Sequence, residues 1–284
     1  MSRFLPPGLG WHRDLPDLRD YSPVHEAAQS LLQRLKRPRA GRTIRPPRID
    51  WRQFCSPVEN QQGLNSSTAH ACLGLLQYFE RRAGGKVLEP SRLFLYQLTR
   101  RLLHWTDDTG ATLRATVKAL VRYGVPPEEH WPYDLAKLDE PPDAFLFSFA
   151  KDFQSLRYLR LDPRGATGLD ALETVKAYLA AGFPCMFGFP VVHALSQDAD
   201  IPFPTIFESV RGGQAVVAVG YDDAHIIRST RGALLIRNSW GPTWGDGGYG
   251  WLPAAYVKEQ LAVDFWTLLK AEWLDSGEFE AVRS

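Results

Sequence analysis

The apolar residues of the chain follow two different spacings, and the change falls near residue 160. Upstream of this point they recur every three or four positions, which is the spacing of one buried helix face. Downstream, short runs of β-branched and aromatic residues are separated by Gly and Pro, which is typical of strands joined by turns. The pattern therefore predicts an α+β protein with a helical first part and a β-rich second part.

The clearest helical run starts at Ala69, and Ser66 or Ser67 can cap it. Gly124 closes another helix. Further helices are predicted over 91–103, 112–123 and 168–181, with a weaker helical pattern over 24–35. Strands are predicted over 185–189, 214–221, 234–238, 249–252 and 262–269.

These elements predict one unit of two lobes. Residues 1–60 form an extended arm and linker, 61–160 a helical lobe, 161–270 a β-rich lobe and 271–284 a polar tail. The arm contains Trp11 and Tyr21, which we expect to pin it to the body, whereas the basic run 36–42 is interpreted as a solvated linker. A cleft is expected between the lobes, where ligand sites commonly lie.

Composition narrows the classes of partner. The 284 residues carry 33 Lys and Arg against 32 Asp and Glu, a formal net charge of +1, which gives no field to attract nucleic acid or an anionic membrane. No apolar run has the length of a membrane span or a signal-peptide core. The odd count of three cysteines favours a reduced compartment, so we expect a cytoplasmic protein. Neither a metal-binding Cys or His spacing nor a phosphate loop is present, so no metal or cofactor is predicted.

Three motifs suggest where chemistry is staged. The first, Asn-Gln-Gln-Gly-Leu-Asn-Ser-Ser-Thr-Ala-His-Ala (60–71), passes from a polar loop into the strongest helix, whose free N–H groups suit a developing negative charge. The second is Gly-Gly-Gln-Ala-Val-Val-Ala-Val-Gly-Tyr (212–221). The third is Asn-Ser-Trp-Gly-Pro-Thr-Trp-Gly-Asp-Gly-Gly-Tyr-Gly (238–250).

Together the three motifs resemble the papain-like cysteine peptidases, in particular their cytoplasmic bacterial branch. The resemblance implies a papain-like fold with a helical lobe and a β-barrel-like lobe. It places Gln61 at the oxyanion hole and Asn238 at the residue that orients the base. It also places Ser67 where the family has its nucleophilic Cys, and Gln214 where the family has its basic His.

The resemblance extends to the rest of the cleft. Gly110 and Ala111 correspond to the loop that hydrogen-bonds an extended substrate through its backbone. The remaining expected cleft residues are Gln62, Asn65, Ser66, His193, Gly213 and Trp240. Gln62 and Asn65 replace glycines of the bacterial pattern, so their side chains narrow the approach unless they contact a ligand.

The residue types at positions 67 and 214 argue against peptide cleavage. A hydroxyl needs a base within hydrogen-bond reach, and the amide of Gln214 cannot act as one. We therefore expect an inactive peptidase homologue that binds a peptide, a peptide-like chain or a protein partner, as a scaffold, chaperone or regulatory subunit. A hydrogen bond between Gln214 and Asn238, beside Trp240, is expected to hold the cleft wall.

Two alternatives stay open. In the first, Ser67 is the nucleophile of an acyl or amide transfer or of a hydrolysis, with His193 or a substrate group as the base, whereas His70 is expected to be a buried polar residue. In the second, Ser67 is a laboratory replacement of a natural Cys, which Gln214 argues against because one change would have sufficed.

Overall fold

The computed structural model describes residues 6–35, 45–280 and 282, so the basic run 36–42 lies outside the described residues. The helices are α1 (Glu26–Leu32), α2 (Ser67–Arg82), α3 (Arg92–Leu103), α4 (Leu113–Tyr123), α5 (Leu146–Phe149), α6 (Gly168–Ala180), α7 (Ala255–Lys258) and α8 (Ala271–Asp275). The strands are β1 (Trp11–His12), β2 (Arg48–Asp50), β3 (Ala111–Thr112), β4 (Arg157–Arg160), β5 (Cys185–Val192), β6 (Val210–Ile227), β7 (Thr230–Arg237), β8 (Tyr249–Pro253) and β9 (Val263–Leu269).

Helix α2 is the centre of the molecule. Its residues from Ser67 to Glu80 are all buried, and it contacts α3 and α4 on one side and strand β6 on the other. A helix that is buried all round needs a neighbour on every face. This arrangement places the first turn of α2 directly against the sheet.

The start of α2 differs from the expected cap. Ser66 occupies the N-cap position, but its side chain makes no capping hydrogen bond. Its Oγ lies 2.6 Å from the hydroxyl of Tyr133, which competes for the oxygen. The start of α4 is capped, by contrast, because Thr112 accepts a hydrogen bond from Ala115 N–H.

The strands of the second half form an antiparallel sheet in the order β4-β9-β5-β6-β7-β8, with β2 added alongside β6. Within the described ranges this order is open, with β4 and β8 at its ends, so the barrel-like lobe is not a closed barrel. Strand β6 is longer than predicted and irregular near Gly220 and between Asp222 and Ile226, which bends it. The predicted α+β class is confirmed.

Residues near the C-terminus help to cover the core. Trp273 of α8 stacks on Phe79 of α2 with ring centroids 5.1 Å apart, and Phe279 contacts the same ring at 5.6 Å. This region therefore carries buried aromatic residues as well as the polar ones that dominate its sequence. The proposed lobe boundaries stay a prediction.

Phe79→Ala should lower the free energy of unfolding by about 3–5 kcal/mol, because it leaves a cavity beneath two aromatic rings. Leu169→Ala, at an exposed position of α6, should change it by less than about 0.5 kcal/mol. Urea unfolding followed by circular dichroism measures both. Equal effects of the two substitutions would contradict the packing described for Phe79.

Candidate functional site: the interlobe cleft

The side-chain amide of Gln61 connects four segments of the chain around the cleft. Its Oε1 accepts hydrogen bonds from Gln214 Nε2 at 3.0 Å and from Ser239 Oγ at 2.6 Å. Its Nε2 donates to the carbonyl oxygens of Leu64 and Leu9, each at 2.9 Å. Because every one of these contacts is buried or partly buried, the amide is held in one orientation.

Gln214 faces the same network. Its Nε2 lies 2.8 Å from Asn238 Oδ1 and 3.2 Å from Ser239 Oγ, so the expected Gln214–Asn238 hydrogen bond is present. Both residues are buried, and strand pairing sets Gln214 opposite Phe189. The side chain that we assigned to the position of the base therefore serves as a hydrogen-bond donor.

Ser67 opens helix α2 and is fully buried. Its Oγ accepts a hydrogen bond from the Ala215 N–H at 3.2 Å, which ties the helix to strand β6. Ser66 points into the helical half instead of lining the cleft as expected, since its Oγ contacts Tyr133 and lies 3.3 Å from His70 Nδ1.

His70 is buried against the same tyrosine, with ring centroids 5.1 Å apart. Its Nδ1 lies 3.2 Å from the carbonyl oxygen of Ser66. Burial lowers the pKa of His70 from 6.5 to about 3, and the charge of Arg92 adds to the effect. His70 is thus the buried polar residue that the sequence predicts, and its lowered pKa keeps it neutral. His193, the suggested substitute base, is exposed in the loop after β5, whereas Ser67 is wholly buried.

The chain's own N-terminal arm fills the cleft. Leu9 N–H donates to Asn65 Oδ1 at 3.1 Å, and the Leu9 carbonyl is the oxygen bound by Gln61. Gly10 N–H donates to the Gly213 carbonyl at 2.9 Å, and Ala111 N–H donates to the Gly10 carbonyl at 2.8 Å. Four of the residues expected to meet a ligand therefore bind this segment.

Two further contacts fix its ends within the cleft. Trp240 Nε1 donates to the Gly8 carbonyl at 3.0 Å. At the other end, Trp11 and His12 pair in parallel with Ala111 and Thr112. Residues 8–12 thus run along the cleft, and their main-chain groups make most of the hydrogen bonds to it.

Beyond the cleft, an acidic residue anchors the arm. Asp14 is buried, its N–H donates to Asp264 Oδ2 at 2.7 Å, and its Oδ2 accepts from Arg114 N–H and Trp266 Nε1 at 3.2 and 3.1 Å. Asp20 then pairs with the guanidinium of Arg114 through two hydrogen bonds. These contacts explain how a segment without long secondary structure keeps a fixed course.

The remaining predicted cleft residues lie in two places. Gly110 has a φ of 93°, and its N–H donates to Tyr96 Oη at 3.1 Å, which supports the loop beside Gly10. Gln62 is exposed with a φ of 50°. The Asn65 N–H donates to the carboxylate of Asp108, and its side-chain oxygen accepts from Leu9 N–H, so the residue that replaces a glycine contacts the arm.

Sequence reasoning missed Ser239, Asp108 and the position of the arm. Ser239 follows Asn238 directly, and a hydroxyl beside an expected buried amide was an available signal. For the arm, the signal was the spacing of Gly8, Gly10 and Trp11, since glycines in an extended segment indicate close backbone approach.

One cavity of about 540 Å³ lies at the outer end of the arm and includes Asp14, Asp17 and Arg160 in its lining. Among the described residues, no group of three or more His, Cys, Asp and Glu is placed to hold a metal ion. Within the same ranges, no helix is long and apolar enough to cross a membrane.

The three cysteines are buried free thiols. Burial raises the pKa of Cys55, and it raises that of Cys72 to about 12. Neither thiol is therefore a ready source of thiolate.

The fold and cleft define a class. Xylellain, a cysteine protease from Xylella fastidiosa, superposes with a TM-score of 0.73 at 32% identity, covering 95% of this chain and 98% of that one. A procathepsin B from Trypanosoma congolense superposes with a TM-score of 0.65 at 17% identity, covering 93% and 86%. The protein has the papain-like fold.

Sequence comparison gives the family. Residues 45–260 match the model of the papain family cysteine proteases. An uncharacterised peptidase C1-like protein of Acanthamoeba polyphaga mimivirus is 36% identical over 218 residues, covering 74% of this chain and 68% of that protein. Pro-cathepsin H of Bos taurus is 25% identical over 217 residues, covering 72% and 58%. The chain belongs to the papain family, as its motifs predicted.

His70→Gln should flatten the acid limb of the stability curve. The folded chain keeps His70 neutral down to about pH 3, whereas the unfolded chain protonates it near pH 6.5. The contribution of His70 to the free energy of unfolding is therefore complete above pH 6.5 and is lost as the pH falls toward 3. The slope between these values should decrease by up to about 1.4 kcal/mol per pH unit in the variant. Urea unfolding across pH 4–7 measures it, and parallel curves would contradict the neutral His70.

Gly10→Val should release the arm from the cleft. A Cβ at position 10 would lie 1.9 Å from the Asn65 carbonyl oxygen, and the φ of +117° excludes a β-branched residue. Hydrogen exchange at the Leu9 and Ala111 amides should become faster by about two orders of magnitude, as for a docked segment that opens locally. Arg13→Val, at an exposed position, is the matched control and should leave both rates unchanged. Protection that survives Gly10→Val would show that the arm is held differently.

Proposed function

We propose that this member of the papain family binds an extended peptide in its interlobe cleft and does not cleave it. The observation that carries the proposal is the bound arm. Its Leu9 and Gly10 use backbone groups to bond Gln61, Gly213 and Ala111, and any extended peptide has the same groups. Main-chain recognition of this kind gives affinity to a strand laid along a groove.

The absence of cleavage is supported by the chemistry of the two facing positions. Peptide hydrolysis in this family's manner needs a nucleophile and a group that takes up and returns its proton. The Ser67 hydroxyl accepts from Ala215 N–H, and Gln214 uses its amide nitrogen as a donor to Asn238. What such a site keeps is binding and oxyanion stabilisation, on the order of 10³–10⁴ over water by analogy with dismantled triads.

Xylellain is named a cysteine protease, and this chain shares with it 32% of its residues and almost its whole length. In this proposal the cleft has the same fold as that of xylellain but binds a peptide without cleaving it. A bound peptide held without cleavage suits a scaffold, a chaperone or a regulatory subunit. A cytoplasmic location fits three buried free thiols.

The proposal is tested with the arm released and the reacting pair restored. The Gly10→Val chain should bind peptide pools in calorimetric titration and should not hydrolyse fluorogenic peptides. Adding Ser67→Cys and Gln214→His should produce hydrolysis about 10³-fold or more above that background, since a thiol and an imidazole then face the same cleft.

The matched control adds Ser67→Ala to Gly10→Val and should give the same background rate. Hydrolysis by the Gly10→Val chain that disappears with Ser67→Ala would contradict the proposal. Failure of the arm-released chain to bind any peptide would contradict it as well.

A further inference from the structure

The arm approaches the cleft most closely at two of its own glycines, Gly8 and Gly10. A Cβ on Gly8 would lie 2.3 Å from the carbonyl oxygen of Leu64, and one on Gly10 would lie 1.9 Å from that of Asn65. Both obstacles are backbone atoms of the loop before α2, so they cannot move aside as a side chain could. Any residue larger than glycine at either position would push the segment off Gln61 and Gly213.

Glycines of the cleft also lie against the arm. A Cβ on Gly188 of β5 would lie 1.9 Å from the indole of Trp11, and one on Gly213 of β6 would lie 2.6 Å from the same ring. Because neither glycine has a side chain, the two neighbouring strands leave a flat slot at Gly188 and Gly213, and the indole of Trp11 occupies it. A Cβ on Gly212 would likewise lie 2.5 Å from Leu9 Cδ1. The glycine at 212 therefore leaves room for one apolar side chain between the close approaches at Gly8 and Gly10.

The segment also has a fixed direction. Trp11 and His12 pair in parallel with Ala111 and Thr112, and Trp240 holds the opposite end at Gly8. Reversing the chain would place the tryptophan at the Trp240 end, away from the slot at Gly188 and Gly213. The recognition elements are therefore ordered along the cleft.

We infer that the cleft selects peptides with the sequence glycine, an apolar residue, glycine, tryptophan, bound in the direction of the arm, and that the arm is the chain's own copy of this ligand. The inference rests on the proposed function, because it specifies which extended peptides the cleft binds. A partner protein that carries the same four residues in an exposed extended segment would compete with the arm for Gln61, Ala111 and Gly213.

The test uses the full chain carrying Gly10→Val, so that the arm is displaced and the cleft is otherwise native. The probe is a fluorescent peptide with the sequence of residues 6–14, Pro-Pro-Gly-Leu-Gly-Trp-His-Arg-Asp, and binding is followed by fluorescence anisotropy. A second receptor, the full chain with Trp11→Ser, repeats the measurement with a different change in the arm. Circular dichroism establishes that both receptors are folded.

Competing unlabelled peptides measure selectivity. A peptide with Gly10→Ala, one with Trp11→Ala and one with the reversed sequence should each bind about tenfold or more weakly than the parent, because a clash with backbone or an empty slot weakens docking by at least that factor. The matched control peptide carries Arg13→Ala, an exposed position, and should bind within about twofold of the parent.

Equal affinity for the parent, Gly10→Ala and reversed peptides would overturn this inference and leave the proposed function standing, since the cleft would then bind peptides without selecting them. If neither receptor binds the parent peptide or a pool of unrelated peptides, the proposed function fails together with it. A parent peptide preferred over all three competitors by both receptors supports both.

Discussion

The buried amide of Gln61 is the interaction on which the cleft depends. It bonds the loop before α2 at Leu64, the residues after β7 at Ser239, and the arm at Leu9, so three segments far apart in sequence meet at one carboxamide. Each of these groups would lose a buried partner if the amide were removed, at a cost of about 1–3 kcal/mol per unsatisfied group. The hydrogen bonds of Gln61 thus fix the positions of the helical half, the sheet and the arm relative to each other.

The same chemistry limits what the site can do. Gln61, Gln214 and Asn238 carry amides, which keep one charge state over the whole physiological range. An amide network therefore fixes geometry and supplies donors, as at the Leu9 carbonyl, without moving protons. Binding and proton transfer make opposite demands on a buried site, because the first needs permanent donors and the second needs a group that changes its state.

The sequence predicts well those features that are written in local spacing. Strands β8 and β9 were predicted to within one residue of their observed bounds, and helix α2 begins at Ser67, one of the two predicted caps. The family motifs also predicted the Gln214–Asn238 hydrogen bond. Strand β4 (Arg157–Arg160) was missed because two of its four residues are arginine, and its place in the sheet is decided by pairing with β9.

The larger omission was the destination of the arm. Its aromatic residues indicated that it is pinned, but its hydrogen bonds in the cleft run mainly through backbone atoms, which leave little trace in residue types. Gly10 meets Ala111 and Gly213, about 100 and 200 residues away, and such distant pairings cannot be read from local patterns. The open strand order and the missing capping bond of Ser66 were not predicted for a related reason, since strand order and the Tyr133 contact are settled by tertiary packing.

The most direct test of the account asks whether the Ser67 oxygen can act as a nucleophile. The arm-released chain is incubated with an activated ester probe, and mass spectrometry locates any covalent adduct. The account predicts no adduct on Ser67, because Gln214 cannot accept its proton. An adduct on Ser67 that Ser67→Ala abolishes would contradict it.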